Sequence, residues 1–178
     1  MRALLLTTRI AASVLLAAAC GGKAVRPEGA PSRVVVVGAS VVPRPAPRGF
    51  TGDVFGSENP RDVVAREGAE ALRTRGYEVL GVELTAGAAP TVEQAAALAR
   101  EYRAEAAVVL VLTRLDLSAM QPLGRAEIEL ESMMVGPDGR VLSSDDRRSA
   151  TSQNLYRART DWRSHVRQAV IQAVRELP

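Results

Sequence analysis

The residue best suited to catalysis or metal binding is His165, the only histidine in the chain. It follows Ser164, but adjacent residues of a helix point in different directions, so the pair does not form part of a nucleophilic triad. His165 also lacks companions for a metal site, because the chain has no second histidine and only one cysteine. We therefore expect no catalytic set, no metal site and no enzyme activity, and we expect His165 to be an exposed helix residue.

Three carboxylates, those of Glu127, Glu129 and Glu131, alternate along one segment. In a strand they share a face at spacings of roughly 7 Å, and the chain lacks the loop ligands that a calcium site needs. The turn that follows brings Arg147 and Arg148 back toward this face. We expect these arginines to form ordinary cross-strand ion pairs with Glu127 and Glu129.

Two weaker ligand candidates are Arg114 and Asp116, which lie near the end of an apolar strand. Open α/β sheets often bind ligands in the crevice outside the carboxyl ends of their strands. The stretch VVVVGAS around Gly38 is similar to the start of a nucleotide-binding fold, but the second and third glycines of that motif are missing. Pro43 also prevents a helix from starting where a phosphate would bind, so we expect no nucleotide and no cofactor.

The loop from Pro43 to Asn59 is rich in proline and contains both phenylalanines of the chain. Its side chains Arg44, Arg48, Phe50 and Phe55 suit protein recognition, because loops of this length are often functional and interfaces are enriched in aromatic residues and arginine. In the alternative, the two phenylalanines fold back as a lid over one face of the sheet. Both interpretations remain open at the level of sequence.

The only cysteine, Cys20, follows a segment with the features of a targeting signal. Arg2 and Arg9 form a positive region before an uncharged apolar run, Ile10–Ala19, which ends in small residues and is about half the ~20 residues that cross a bilayer. An exported protein with one cysteine cannot form an internal disulfide. The simplest alternative is an ordinary secretory signal in which the cysteine is incidental.

The stretch Ala17-Ala18-Ala19-Cys20-Gly21 resembles the signal box of bacterial lipoproteins, which reads Leu-(Ala/Ser)-(Gly/Ala)-Cys. It matches at both small positions and at the cysteine, and alanine stands where leucine is usual. The resemblance implies cleavage after Ala19 and a diacylglyceryl group on the thiol of Cys20. Because glycine rather than aspartate follows the cysteine, it also implies the periplasmic face of the outer membrane.

These features divide the chain into residues 1–19 as a signal peptide, residues 20–32 as a lipidated cysteine with a flexible tether, and residues 33–178 as one domain. The twelve residues of the tether span at most about 40 Å, which favours a partner at the same membrane. Arg2 and Arg9 are lost with the signal peptide, so the mature chain has 21 of the 23 basic residues and all 20 acidic residues. A nearly neutral domain is not typical of nucleic-acid binding, so we expect no nucleic-acid partner.

Hydrophobic periodicity and capping signals predict the element order βαβαβββα, an α/β fold. Two right-handed βαβ crossovers and a final hairpin give a mixed sheet of order 2-1-3-4-5 with helices on both faces. The predicted strands are Arg33–Val42, Tyr77–Leu84, Ala106–Leu115, Arg125–Val135 and Arg140–Ser149, and the predicted helices begin after caps at Asn59, Thr91 and either Thr160 or Asp161.

This pattern resembles the α/β domains of the TolB-N-terminal, CsgG and LpoB-type envelope lipoproteins. The resemblance rests on RVVVVGASVVP, on EGAEALRTRGYEVL, and on LAREYRAEAAVVLVLTRLD followed by EIELESMMVGPDGRVL. It implies a non-catalytic protein-interaction or assembly accessory in the cell envelope, held at the membrane by its lipid and bound to another envelope protein. The alternative is a module that binds a small envelope ligand such as a lipid, a glycan or a peptide.

Overall fold

The computed structural model describes residues 25–42, 58–85, 87–118, 125–152 and 161–178. Its elements follow the predicted order. They are β1 Arg33–Ser40, α1 Pro60–Thr74, β2 Glu78–Leu84, α2 Val92–Glu101, β3 Ala106–Asp116, β4 Arg125–Val135, β5 Val141–Ser152 and α3 Trp162–Glu176. The candidates Cys20, Arg44, Arg48, Phe50 and Phe55 lie outside the described residues.

The five strands form one sheet in the order β2-β1-β3-β4-β5, as predicted. β1 lies parallel between β2 and β3, while β4 and β5 are antiparallel additions on the far side of β3. The valine run of β1 is fully buried because a central parallel strand is covered on both faces. β5 is longer than predicted, since its pairing with β4 continues as far as Arg125 and Ser152.

The helices divide between the two faces of the sheet. α1 and α3 cover one face, where Leu110, Leu130 and Met134 are fully buried, and each such side chain stabilises the fold by roughly 1.5–3 kcal/mol. α2 covers part of the other face through three alanines, Ala95, Ala96 and Ala99. The β4–β5 part of that second face carries polar side chains.

Each of the three helices in the described part of the chain starts at a cap of the residue type that the sequence indicates. The Asn59 side chain accepts a hydrogen bond from the N–H of Arg61 at 3.1 Å, and Thr91 forms a reciprocal capping box with Gln94. At the start of α3 the cap is Asp161 rather than Thr160. Gly76 ends α1 with a φ of +92°, in the left-handed region that favours glycine.

Gly38 has a packing role in this fold. It lies on β1 directly beneath α1, and a Cβ placed there would stand 2.5 Å from the Cβ of Ala65 and 2.9 Å from the carbonyl oxygen of Arg61. A hydrogen atom at this position lets the first turns of α1 rest on the strand. The glycine in VVVVGAS is therefore explained by helix–sheet packing.

Candidate functional site

The predicted ligand crevice, at the carboxyl end of β3, contains a network of ion pairs. The guanidinium of Arg114 lies 3.5 Å from Asp116, 3.9 Å from Glu127 and 3.6 Å from Glu129. β3 and β4 bring these side chains together because Arg114 pairs with Glu129 and Asp116 with Glu127 in the antiparallel register. The two crevice candidates are adjacent, as the sequence suggests, but they contact each other and the neighbouring strand.

The predicted pairing of β5 with the β4 glutamates is half correct. Arg148 contacts Glu127 at 2.9 Å and Glu129 at 3.4 Å, which confirms the cross-strand pairs. The prediction for Arg147 is wrong, because adjacent strand residues point to opposite faces and Arg147 lies opposite Leu130. Its guanidinium contacts Asp145 at 3.3 Å and Glu176 at 3.5 Å.

These contacts make the charged face of β3, β4 and β5 largely self-compensating. The side chain and N–H of Ser118, together with Arg114, hold the pKa of Asp116 below its usual range. Three arginines, Arg114, Arg125 and Arg148, are within 4 Å of Glu127. Exposed ion pairs of this kind each stabilise the fold by ~0–1 kcal/mol, so the network contributes little to stability. Because its charges compensate each other, it also offers no single free charge to a ligand.

The expectation that His165 is exposed is wrong. Its side chain is fully buried on the inner face of α3, beside the predicted apolar stripe that includes Trp162, Val166 and Ala169. A helix that packs against a sheet buries a wide arc of its surface, and His165, next to Val166, lies within that arc. Burial lowers the pKa of His165, and Asp161 opposes that shift weakly.

We predict that His165 makes the free energy of unfolding fall as the pH drops below about 6.5. Its folded-state pKa is depressed, so between the unfolded and the folded pKa the unfolded chain binds more protons and stability is lost as the pH falls. Urea unfolding between pH 7.5 and 5.5 should show this slope, and a His165→Gln variant should lose it even if it is less stable at every pH. An unchanged slope would contradict the assignment.

Within the described ranges, no group of three or more histidine, cysteine, aspartate or glutamate side chains is placed to hold a metal ion. No helix among those residues is long and apolar enough to cross a membrane.

A cavity of about 490 Å³ lies between α1 and α3. At its mouth the buried carboxylate of Glu67 accepts two hydrogen bonds from Arg167, at 2.6 and 3.1 Å, and Arg66 lies 3.5 Å away. Its wall includes Ala71 and Ile171, and Ile171 is 37% exposed. The cavity is mainly apolar, and its charged lining residues are of both signs, which suits an elongated apolar molecule with a polar head. They are Glu67, Glu70, Arg75, Arg167 and Arg175.

The edge strand β2 presents a second apolar surface. Val82 is 41% exposed and Leu84 is 43% exposed, and together with Ala65, Ala69 and other residues of α1 they line a shallow groove of about 270 Å³. Among the described strands, β2 pairs only with β1. We call Val82, Leu84 and the adjoining side of α1 the β2 edge.

The backbone of the β2 edge is oriented for strand addition. The N–H of Thr85 donates to the carbonyl of Gly38 on β1. Because successive residues of a strand direct their backbone groups to opposite sides, Leu84 and Val82 direct theirs to the open side. Backbone groups that pair with no other described strand, beside exposed apolar side chains, form a template for another extended chain.

Sequence reasoning missed both surfaces. The alternation of Val82 and Leu84 with Glu83 was visible, but it could not be assigned to an edge until the strand order was known. The cavity depends on the spacing of α1 and α3, which are about 90 residues apart in the chain and meet only through the tertiary fold.

No protein-family model and no curated protein sequence matches this chain. Several solved structures are similar, including a PelC dodecamer from Paraburkholderia phytofirmans, with 15% identity over 82% of this chain and 87% of that chain and a TM-score of 0.49. The hypothetical protein CT253 from Chlamydia trachomatis is 11% identical over 80% of this chain and 93% of that chain, with a TM-score of 0.49. The lipoprotein GNA1162 from Neisseria meningitidis is 13% identical over 82% of this chain and 98% of that chain, with a TM-score of 0.40.

At these identities and TM-scores, the likenesses carry no functional information. They include a bacterial lipoprotein by name. None of the three is named as a TolB, CsgG or LpoB protein, so the finer resemblance stays a prediction.

Proposed function

We propose that this chain is a lipid-anchored lipoprotein of the cell envelope that acts without catalysis, by binding another envelope protein through the β2 edge. The observation that carries the binding role is the open strand with two exposed apolar side chains, Val82 and Leu84. The anchor is proposed from the signal-like segment and Cys20, and the periplasmic face of the outer membrane from Gly21.

The geometry of the β2 edge specifies the kind of partner segment. Val82 and Leu84 are two residues apart on the same face of the strand, at a spacing of roughly 7 Å. An extended peptide that pairs with β2 would place alternate side chains over them and against Ala65 and Ala69 of α1. The partner should therefore supply a strand with alternating apolar residues, which is recognition by β-strand addition.

The loop from Pro43 to Asn59, which the sequence suggests for protein recognition, is compatible with this proposal, but the proposal does not depend on it. The chain leaves β1 after Ser40 and re-enters the described part at Glu58, both at the carboxyl end of the parallel strands. Arg44, Arg48, Phe50 and Phe55 fall between these points and remain proposed partner contacts. A Phe50→Ala and Phe55→Ala double variant that retained every partner would remove the loop from the binding surface.

The β2 edge is tested by a Val82→Thr and Leu84→Thr double variant. Threonine retains strand propensity while it removes exposed apolar surface, so the fold should survive. We expect co-purification of the partner from membranes to fall at least about tenfold, which corresponds to the loss of ~1.4 kcal/mol of binding free energy. The control variant Ile171→Gln changes an exposed apolar residue of the α1–α3 cavity and should leave co-purification of the partner unchanged.

The outcomes of this comparison are distinct. If the double variant keeps its partner and Ile171→Gln loses it, the interaction surface is the α1–α3 side. If the wild-type chain forms a dimer that the double variant does not, the β2 edge binds a second copy of this chain. Either result would overturn the proposed partner of β2.

A second candidate function, binding of a small envelope ligand, is favoured by the α1–α3 cavity. Its volume of about 490 Å³ falls within the usual range for ligand sites, and arginine lies at its rim beside apolar wall residues. Because glutamates line the cavity as well as arginines, a lysophospholipid, with an apolar chain and a head group of both charges, is the matching chemistry. Native mass spectrometry of the purified chain should then show a bound lipid that an Ile171→Glu variant loses, and absence of any lipid would argue against this function.

A further inference from the structure

The second half of the predicted tether is bound to the domain. The N–H of Arg26 donates to the carbonyl of Arg75 at 3.0 Å, and the N–H of Ser32 donates to the carboxylate of Glu105 at 2.7 Å. The carbonyl of Ser32 in turn accepts from the N–H of Glu78 at 2.8 Å. Residues 25–32 are therefore held against the domain, so they do not act as part of a free twelve-residue tether.

These contacts all lie at one end of the domain, which we call the tether end. It is formed by the α1–β2 turn, the α2–β3 turn, the β4–β5 hairpin and residues 177–178. The side chain of Arg75 donates to the carbonyls of Val174 and Leu177, and Arg100 donates to Pro137 at 2.5 Å, so these parts are tied together. The amino ends of β1, β2 and β3 start here.

The length of chain between the lipid and the domain sets the orientation of the domain. Five residue steps separate Cys20 from Val25, and they span at most about 18 Å. β3, which runs the length of the domain, has 11 residues and is about 35 Å long. The chain from the lipid is thus too short for the domain to stand inverted, with its opposite end on the headgroups and the tether end about 35 Å above them, without releasing the bound segment.

We propose that the tether end rests on the phospholipid headgroups and that the carboxyl ends of β1, β2 and β3 face away from the membrane. This inference rests on the proposed lipid anchor at Cys20. Val25, the first described residue, is 75% exposed at this end, so an apolar side chain lies where the chain turns toward the bilayer.

The orientation is imposed by the bound segment and not by charge. Among the described residues, the exposed basic and acidic side chains at the tether end are equal in number, six of each, so they give little net attraction to an anionic surface. The basic ones are Arg33, Arg73, Arg100, Arg103, Arg140 and Arg175, and the acidic ones are Glu28, Glu78, Glu101, Glu105, Asp138 and Glu176. The orientation should consequently persist at high salt, whereas a face held by charge would be released.

The proposal is tested with the full lipidated chain in phosphatidylethanolamine and phosphatidylglycerol vesicles that carry a short-range fluorescence quencher on some headgroups. Thr74→Cys places a dye at the tether end, and Ser118→Cys places one at the opposite end; both are exposed hydroxyl-to-thiol changes. A lipidated Cys20 does not react with the dye, so each variant carries one label. We expect quenching at least about threefold stronger at position 74, given the ~35 Å between the ends.

A third variant with fifteen glycine and serine residues inserted between Lys23 and Ala24 should reduce the difference, because the longer linker adds ~20 Å of average reach. Equal quenching at positions 74 and 118 in vesicle-bound protein would overturn the orientation and leave the anchor intact. Labelling of the wild-type thiol, with protein that does not float with the vesicles, would overturn the anchor and this proposal with it.

Discussion

A Cys20→Ser variant is expected to leave the membrane. If the thiol of Cys20 carries a diacylglyceryl group, its acyl chains contribute ~0.8 kcal/mol for each buried methylene, and two chains are enough for stable anchoring. Removing them should reduce the membrane-bound fraction of the exported, cleaved protein at least about tenfold. The measurement is fractionation of cells, combined with the intact mass of the N-terminal peptide.

The matched control for this variant is Lys23→Ser, which alters the same segment and keeps the cysteine. It should remain in the membrane fraction, and its N-terminal peptide should start at Cys20 with the added mass of the lipid. A mature wild-type protein whose N-terminal peptide carries a free thiol would show that the segment is an ordinary secretory signal.

Gly38→Ala is expected to destabilise the domain by about 2–3 kcal/mol, the cost of overpacking where the surroundings cannot relax. The added methyl group would meet the carbonyl oxygen of Arg61 and the Cβ of Ala65, which are fixed by the backbone of α1. The first turns of α1 would have to move away from β1. Urea unfolding, with the Gly38→Ala change and its reference both made in the Cys20→Ser form, measures the difference.

Gly68→Ala provides the comparison for Gly38→Ala. Its added methyl group also meets a close atom, but this is the end of the flexible Leu110 side chain. Alanine within α1 also gains about 1 kcal/mol of helix propensity over glycine. The Gly68 variant should therefore lose less stability, and a larger loss at Gly68 than at Gly38 would contradict the packing role of Gly38.

The sequence was sufficient to predict the strand order and most element bounds. The valine run of β1 and the apolar run of β3 indicated central strands, and Asn59, Thr91 and the pair Thr160-Asp161 marked the helix starts. These signals are local or depend on simple connection rules, so they can be read without coordinates.

Most of the errors arise where a side chain's surroundings depend on distant elements. His165 was expected to be exposed because it has no partner in the sequence, yet the width of the buried arc of α3 is set by how α1 and the sheet meet it. The Arg147 prediction fails for a local reason, because neighbouring strand residues point to opposite faces and only one of Arg147 and Arg148 can meet the glutamates; the hairpin register decides which one. The β2 edge and the bound segment 25–32 likewise exist only once the strands have assembled.

The most direct measurement of the proposed function is photo-crosslinking in cells from a single position on the β2 edge. A photoreactive residue in place of Leu84 should form a covalent adduct with a protein of the same membrane, and the adduct should disappear when Val82→Thr is added. The same residue in place of Ile171, which is exposed to a similar degree, should give no such adduct. Adduct formation from position 171 and none from position 84 would contradict binding through the β2 edge.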